Sequence, residues 1–203
     1  MTSELTNSPV DEQETTVSER LRIQHWTIAL ITIVFGLVGA GVFAIVNAIP
    51  MPYTMVSLFR FGLSPALAII ALVGGIRGPL AGFLTGYLGV VTYDLLFFNT
   101  VVTLTLPALS YGVLGLIVGI ASYDFSKGRS LGKLSILSAI GLVFTALLLV
   151  VFGLYVEQTA VLAEIGFVML PLLTTGLPSV ILITPILARF WQFISENVQI
   201  PWP

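Results

Sequence analysis

The stretch Gly74-Gly75-Ile76-Arg77-Gly78-Pro79-Leu80-Ala81-Gly82-Phe83-Leu84-Thr85-Gly86-Tyr87-Leu88-Gly89 joins two apolar runs through a glycine-proline step. Proline fits the first turn of a helix, where its missing N–H has no intrahelical acceptor to lose. Pro79 therefore predicts a helix reaching about Phe98. Upstream, the shorter run Leu63 to Ile76 starts near Pro65 and closes at Gly74-Gly75 and Arg77, with room to extend back through Leu58 and place Arg60 near its outer end. Four further runs flank this pair: His25 to Ile49, Leu104 to Ser122, Leu131 to Tyr155, and Gly166 to Phe193 with Pro171, Pro178 and Pro185 inside it. Strands of a transmembrane barrel alternate apolar and polar residues over about ten positions, whereas these runs are continuously apolar. The expected fold is an all-α membrane protein, a bundle of six transmembrane helices.

Composition agrees. Of 203 residues, 57% are hydrophobic and only 9% charged, and the mean hydropathy is +1.04. A bilayer span takes about 20 apolar residues, so six spans with short loops use nearly the whole chain. Residues 1–24 read as a disordered acidic tail, with Glu4, Asp11, Glu12, Glu14 and Glu19 ahead of the first basic residue. Residues 25–195 form the membrane domain, and 196–203 a short C-terminal tail. The opening residues lack the positive region and early apolar core of a secretory signal.

Charge placement sets the orientation. With the N-terminus inside, Arg20, Arg22, Arg77, Lys127, Arg129, Lys133 and Arg189 fall on the cytoplasmic side and only Arg60 outside. That asymmetry is the positive-inside pattern, and Trp26 and Trp191 land at the same inner interface. Both termini are therefore expected in the cytoplasm and the chain in the cell membrane.

Small residues recur at intervals of four: Gly36, Ala40, Ala44 and Ala48, then Gly78, Gly82 and Gly86, then Gly115 and Gly119. Such stripes let helices approach to backbone contact. They serve packing within the bundle or present a docking face to another membrane subunit, and spacing does not separate the two.

Taken together, the alanine-x-x-x-alanine of Ala40-Gly41-Val42-Phe43-Ala44, the glycine-proline turn with its glycine-rich helix leading to Asp94, and six helices in about 200 residues resemble a substrate-binding S component of the energy-coupling factor (ECF) transporters. The resemblance covers roughly Ile31 to Ile194. It implies a subunit that captures a vitamin-like small molecule from outside and carries no ATPase or cofactor of its own. ATP would be used by two cytoplasmic ATPases acting through a transmembrane coupling subunit, which would dock on Gly36, Ala40 and Ala44. It also implies a substrate site in the outer half. The family's cobalt and nickel members carry a histidine at position two, where this chain has Thr2.

Polar groups in the outer half are the candidate substrate contacts, because an ionisable group within lipid must be paired or face a wet cavity. Asp94 and Arg60 stand first, either as a structural pair or as ligand-facing groups. Asn47 and Tyr53 flank a proline-stiffened loop suited to a lid. Tyr93, Asn99 and Tyr111 can stack on or hydrogen-bond a heterocycle. Thr175 accompanies the kink-forming prolines. Glu157, with Glu164, lies in the connection between the fifth and sixth runs, where a solvated loop charge is the plainer reading. His25 reads as an interfacial residue.

Several function classes are excluded or weakened. With no cysteine and one histidine, thiolate and imidazole metal sites have no ligands to draw on. No Walker or nucleophile-elbow motif is present, so the chain is not read as an enzyme. No basic stripe points to nucleic acid; lipid is the partner that composition names. A scaffold without a ligand and a stand-alone small-molecule transporter remain the alternatives.

Overall fold

The computed structural model describes residues 26–49, 53–56, 59–99, 106–156 and 158–198. The acidic stretch 1–24 and the Pro50-Met51-Pro52 loop lie outside the described residues. Among the described residues, the regular structure is helical apart from one short pair of strands. In order it forms α1 (Trp26–Ala48), β1 (Tyr53–Val56), β2 (Phe59–Gly62), α2 (Pro65–Arg77), α3 (Pro79–Phe97), α4 (Leu106–Gly119) and α5 (Gly128–Tyr155). A last continuous rod follows, made of α6 (Val161–Ala163), a π-helical segment (Glu164–Met169), α7 (Leu170–Pro178), a second π-helical segment (Ser179–Ile183) and α8 (Thr184–Val198). Among the described residues, four helices are long and apolar enough to cross a membrane: Ile28–Ala48, Pro79–Phe97, Gly128–Tyr155 and Val161–Asn197. A membrane location follows from these four. The other two expected spans are shorter, 13 residues in α2 and 14 in α4.

The second run does not extend back as a helix. Residues 53–56 and 59–62 pair as antiparallel strands, Tyr53 with Gly62 and Met55 with Arg60. The reason is local: Tyr, Thr, Val and Phe favour the pleated backbone, and Pro65 starts α2 cleanly at its first turn. At the other end of α2, Gly78 turns the chain at a φ of 97°, a value only glycine adopts without strain. Its N–H donates to the Gly74 carbonyl at 2.9 Å, and Pro79 opens α3 directly.

Small residues hold the bundle together. A Cβ on Gly74 would lie 2.6 Å from the Gly115 carbonyl oxygen, and one on Gly82 would meet both Gly115 and Gly74. The backbones of α2, α3 and α4 therefore touch. Helix α1 lies along α3: Gly36 faces Leu84, Gly39 faces Thr85, and Phe43 packs on Gly89. The Thr85 hydroxyl donates to the Gly36 carbonyl at 3.3 Å, and Thr145 of α5 donates to Ser110 of α4 at 2.9 Å. Ile70, Leu114, Val118, Leu134, Leu142 and Val180 fill the centre.

This packing corrects one expectation. Gly36, Ala40 and Ala44 do not form a docking face. Ala40 is 2% and Ala44 1% exposed, because the stripe is what lets α1 approach α3 within the same chain. The outward side of α1 is instead built of Leu37, Val38 and Ile45, the surface expected against lipid tails.

The last rod runs through its prolines without breaking. Each π-helical segment lies just ahead of a proline, Pro171 or Pro185, where a wider turn relieves the clash of the ring with the preceding carbonyls. Pro185 has no N–H to offer the Ile181 carbonyl, and the Ser135 hydroxyl of α5 supplies a donor at 3.0 Å. Thr174 and Thr175 donate to the Leu170 and Pro171 carbonyls, both at 2.8 Å. The rod continues to Val198, three residues into the stretch expected as a tail.

Candidate functional site

At one end of the bundle the helices part around a cavity of about 190 Å³. Phe43 and Asn47 reach it from the last turns of α1, and Val90, Tyr93 and Asp94 from α3. Ser64 and Leu67 come from the start of α2, Tyr111 from α4 and Leu172 from α7. Helical spacing explains the grouping: Phe43 with Asn47, and Val90 with Asp94, stand four residues apart on one face. The opposite end of the bundle carries Asp124, Lys127 and Arg189. There Arg189 donates to the Phe125 and Ser126 carbonyls at 3.0 Å.

The cavity is half polar in character. Asp94 is the one formal charge among its described lining residues, beside an amide, a hydroxyl and two phenols. Tyr93 is steadied by ring contacts with Phe97 and Phe98, centroids 5.1 and 5.7 Å away. Ser64 is held by its own N–H, which donates to Ser179 Oγ at 2.6 Å. The arrangement offers a carboxylate and hydrogen-bonding groups on one side and Phe43, Leu67, Val90 and Leu172 on the other, suited to a small ring compound with polar edges.

Four of the expected contact residues, Asn47, Tyr93, Asp94 and Tyr111, thus share one cavity. Others do not. Asn99 follows α3 in a left-handed conformation, φ 51°, and is exposed. Thr175 is absent from the cavity wall; its hydroxyl bonds its own helix. Tyr53 and Arg60 lie in the hairpin strands, with side chains outside the described residues, and Glu157 is outside them altogether. Ser64 is the polar lining residue that sequence reasoning missed; its place before Pro65, at the turn from hairpin to helix, was the available signal.

Glu164 also departs from expectation. It is 5% exposed rather than a solvated loop charge. Thr159 donates to its Oε1 at 2.6 Å, and the carboxylate packs over the bare backbone of Gly153.

Compared with protein-family models, with curated proteins and with solved structures, the chain matches none.

Proposed function

We propose that this chain is the substrate-capture subunit of an ECF-type importer, a six-span protein of the cell membrane with both ends in the cytoplasm. It would take up a vitamin-like heteroaromatic molecule from outside. The observation that carries this reading is the cavity joining Asn47, Ser64, Tyr93, Asp94 and Tyr111 at the end of the bundle away from Lys127 and Arg189. In the positive-inside orientation, that end faces out. A volume of about 190 Å³ lies below the roughly 300–1,000 Å³ of pockets for drug-sized ligands, which favours a single-ring compound over a flavin. The chain would supply no chemistry and no ATPase; a coupling subunit with two ATPases would supply the energy.

Burial of Ala40 and Ala44 favours a second reading, a small-molecule transporter that works without a coupling subunit. Affinity purification from the native membrane separates the two, since only the first predicts stoichiometric recovery of a membrane partner and ATPases.

The cavity itself is tested by native mass spectrometry and an absorbance scan of the protein purified in mild detergent. A bound small molecule is expected, weakened about tenfold or more by Asp94→Asn or Tyr111→Phe. A protein that carries nothing and binds nothing from a panel of ring compounds would point to a scaffold instead.

A further inference from the structure

The lining of the cavity bears on the charge of what it holds. Its polar side brings together the Asp94 carboxylate, the Asn47 amide and the hydroxyls of Ser64, Tyr93 and Tyr111. No Lys, Arg or His is among the described lining residues. A carboxylate accepts at about four lone-pair positions, so Asp94 can serve a neighbour within the chain and a ligand at once. Phe43, Tyr93 and Tyr111 put three aromatic rings around the same space, and the face of such a ring attracts a cation.

The distribution of charge along the bundle agrees. Among the described side chains, the basic ones gather at the end away from the cavity: Arg77 in the last turn of α2, Arg129 and Lys133 in the opening turns of α5, and Lys127 just before them. Arg189 joins them through its bonds to the Phe125 and Ser126 carbonyls. The cavity end carries acids instead, with Asp94 in the last turn of α3 and Glu164 against Gly153 near the end of α5. A cleft lined by one sign of charge raises the local concentration of the opposite one.

We propose that the ligand of this cavity is a small organic cation, a single ring bearing a protonated nitrogen whose N–H groups donate to Asp94 while its charge faces the aromatic rings. The inference rests on the cavity being the capture site and adds the charge of its cargo. An anion would meet Asp94 as a like charge, with no basic lining group described to offset it. A neutral ring would forgo the charge-assisted bond, the stronger kind.

The test titrates the full chain in mild detergent with benzylamine, benzyl alcohol and benzoate at neutral pH, followed by saturation-transfer NMR of the ligand. These are a cation, a neutral molecule and an anion of nearly one size. Benzylamine is expected to bind about tenfold or more tightly than benzyl alcohol, with benzoate the weakest. Asp94→Asn should bring the amine down to the level of the alcohol while alcohol binding is kept, and Asp94→Glu should preserve the original order. Amine binding no tighter than alcohol binding, or an unchanged preference in Asp94→Asn, would overturn the cationic ligand and leave the capture site standing. A chain that binds none of the three would overturn both.

Discussion

The Ser64 amide donates to the Ser179 hydroxyl at 2.6 Å, and that hydroxyl in turn donates to the Thr175 carbonyl at 2.8 Å. This short relay spans 115 residues and ties the exit of the hairpin to the proline-rich rod. Ser179→Ala leaves the Ser64 N–H without its acceptor, at a cost of about 1–3 kcal/mol. A lower thermal midpoint, with exchange at the Ser64 amide accelerated more than at the amides of α2, is expected. Unchanged exchange would show that the bond contributes little.

Ala40→Leu and Ala44→Leu are expected to destabilise the fold itself, by about 1–3 kcal/mol each. Both positions are buried in the helix whose Gly36 and Phe43 lie against α3, so the added side chain has nowhere to go. Size-exclusion profiles after stepwise heating give the readout. Full stability with selective loss of a membrane partner would restore the stripe as a docking face.

Gly153 and Glu164 form a dependent pair, since any Cβ at 153 collides with the carboxylate. Gly153→Ala should lower stability by about 1–3 kcal/mol. Adding Glu164→Ala should return part of that loss, with a coupling of at least about 0.5 kcal/mol in a double-mutant cycle. Strict additivity would mean that the two do not touch.

In the connection between α4 and α5, Asp124 accepts from the Ser126 hydroxyl and amide. These bonds, with a smaller contribution from Lys127, hold its carboxyl below the ordinary value of 3.8. Because the folded value is the lower one, the stabilisation is present above 3.8 and disappears as pH falls through the folded value. The Ser126 amide resonance should therefore titrate with a midpoint under 3.8, and Asp124→Asn should remove that titration. A midpoint at or above the ordinary value would contradict the geometry.

The membrane class and helix positions were legible because long apolar runs and proline placement are local signals. Pro65, Pro79 and the turn at Gly78 fell where their backbone preferences demanded. The hairpin was missed because the search for apolar length overlooked the pleat preference of Tyr53-Thr54-Met55-Val56. Which way a face points was not legible. Ala40 and Ala44 carry the same small side chains whether they meet α3 or a foreign helix, and only the three-dimensional partner decides. Glu164 was misread for the same reason: nothing near it in sequence announces that Gly153 clears a place for it. Asn47, Asp94 and Tyr111 were found as polar groups in apolar runs, but their meeting in one cavity depends on how α1, α3 and α4 pack.

Helices α2 and α4, at 13 and 14 residues, rise about 20 Å, against a hydrocarbon layer of about 30 Å. Beside α5, with its 28 residues, α2 is a stub, yet nine of its residues are buried, so its shortness is hidden from the surrounding solvent. The thickness of bilayer that the molecule fits is therefore set by its four long rods, Ile28–Ala48, Pro79–Phe97, Gly128–Tyr155 and Val161–Asn197, and a membrane too thick or too thin for them would tilt those first.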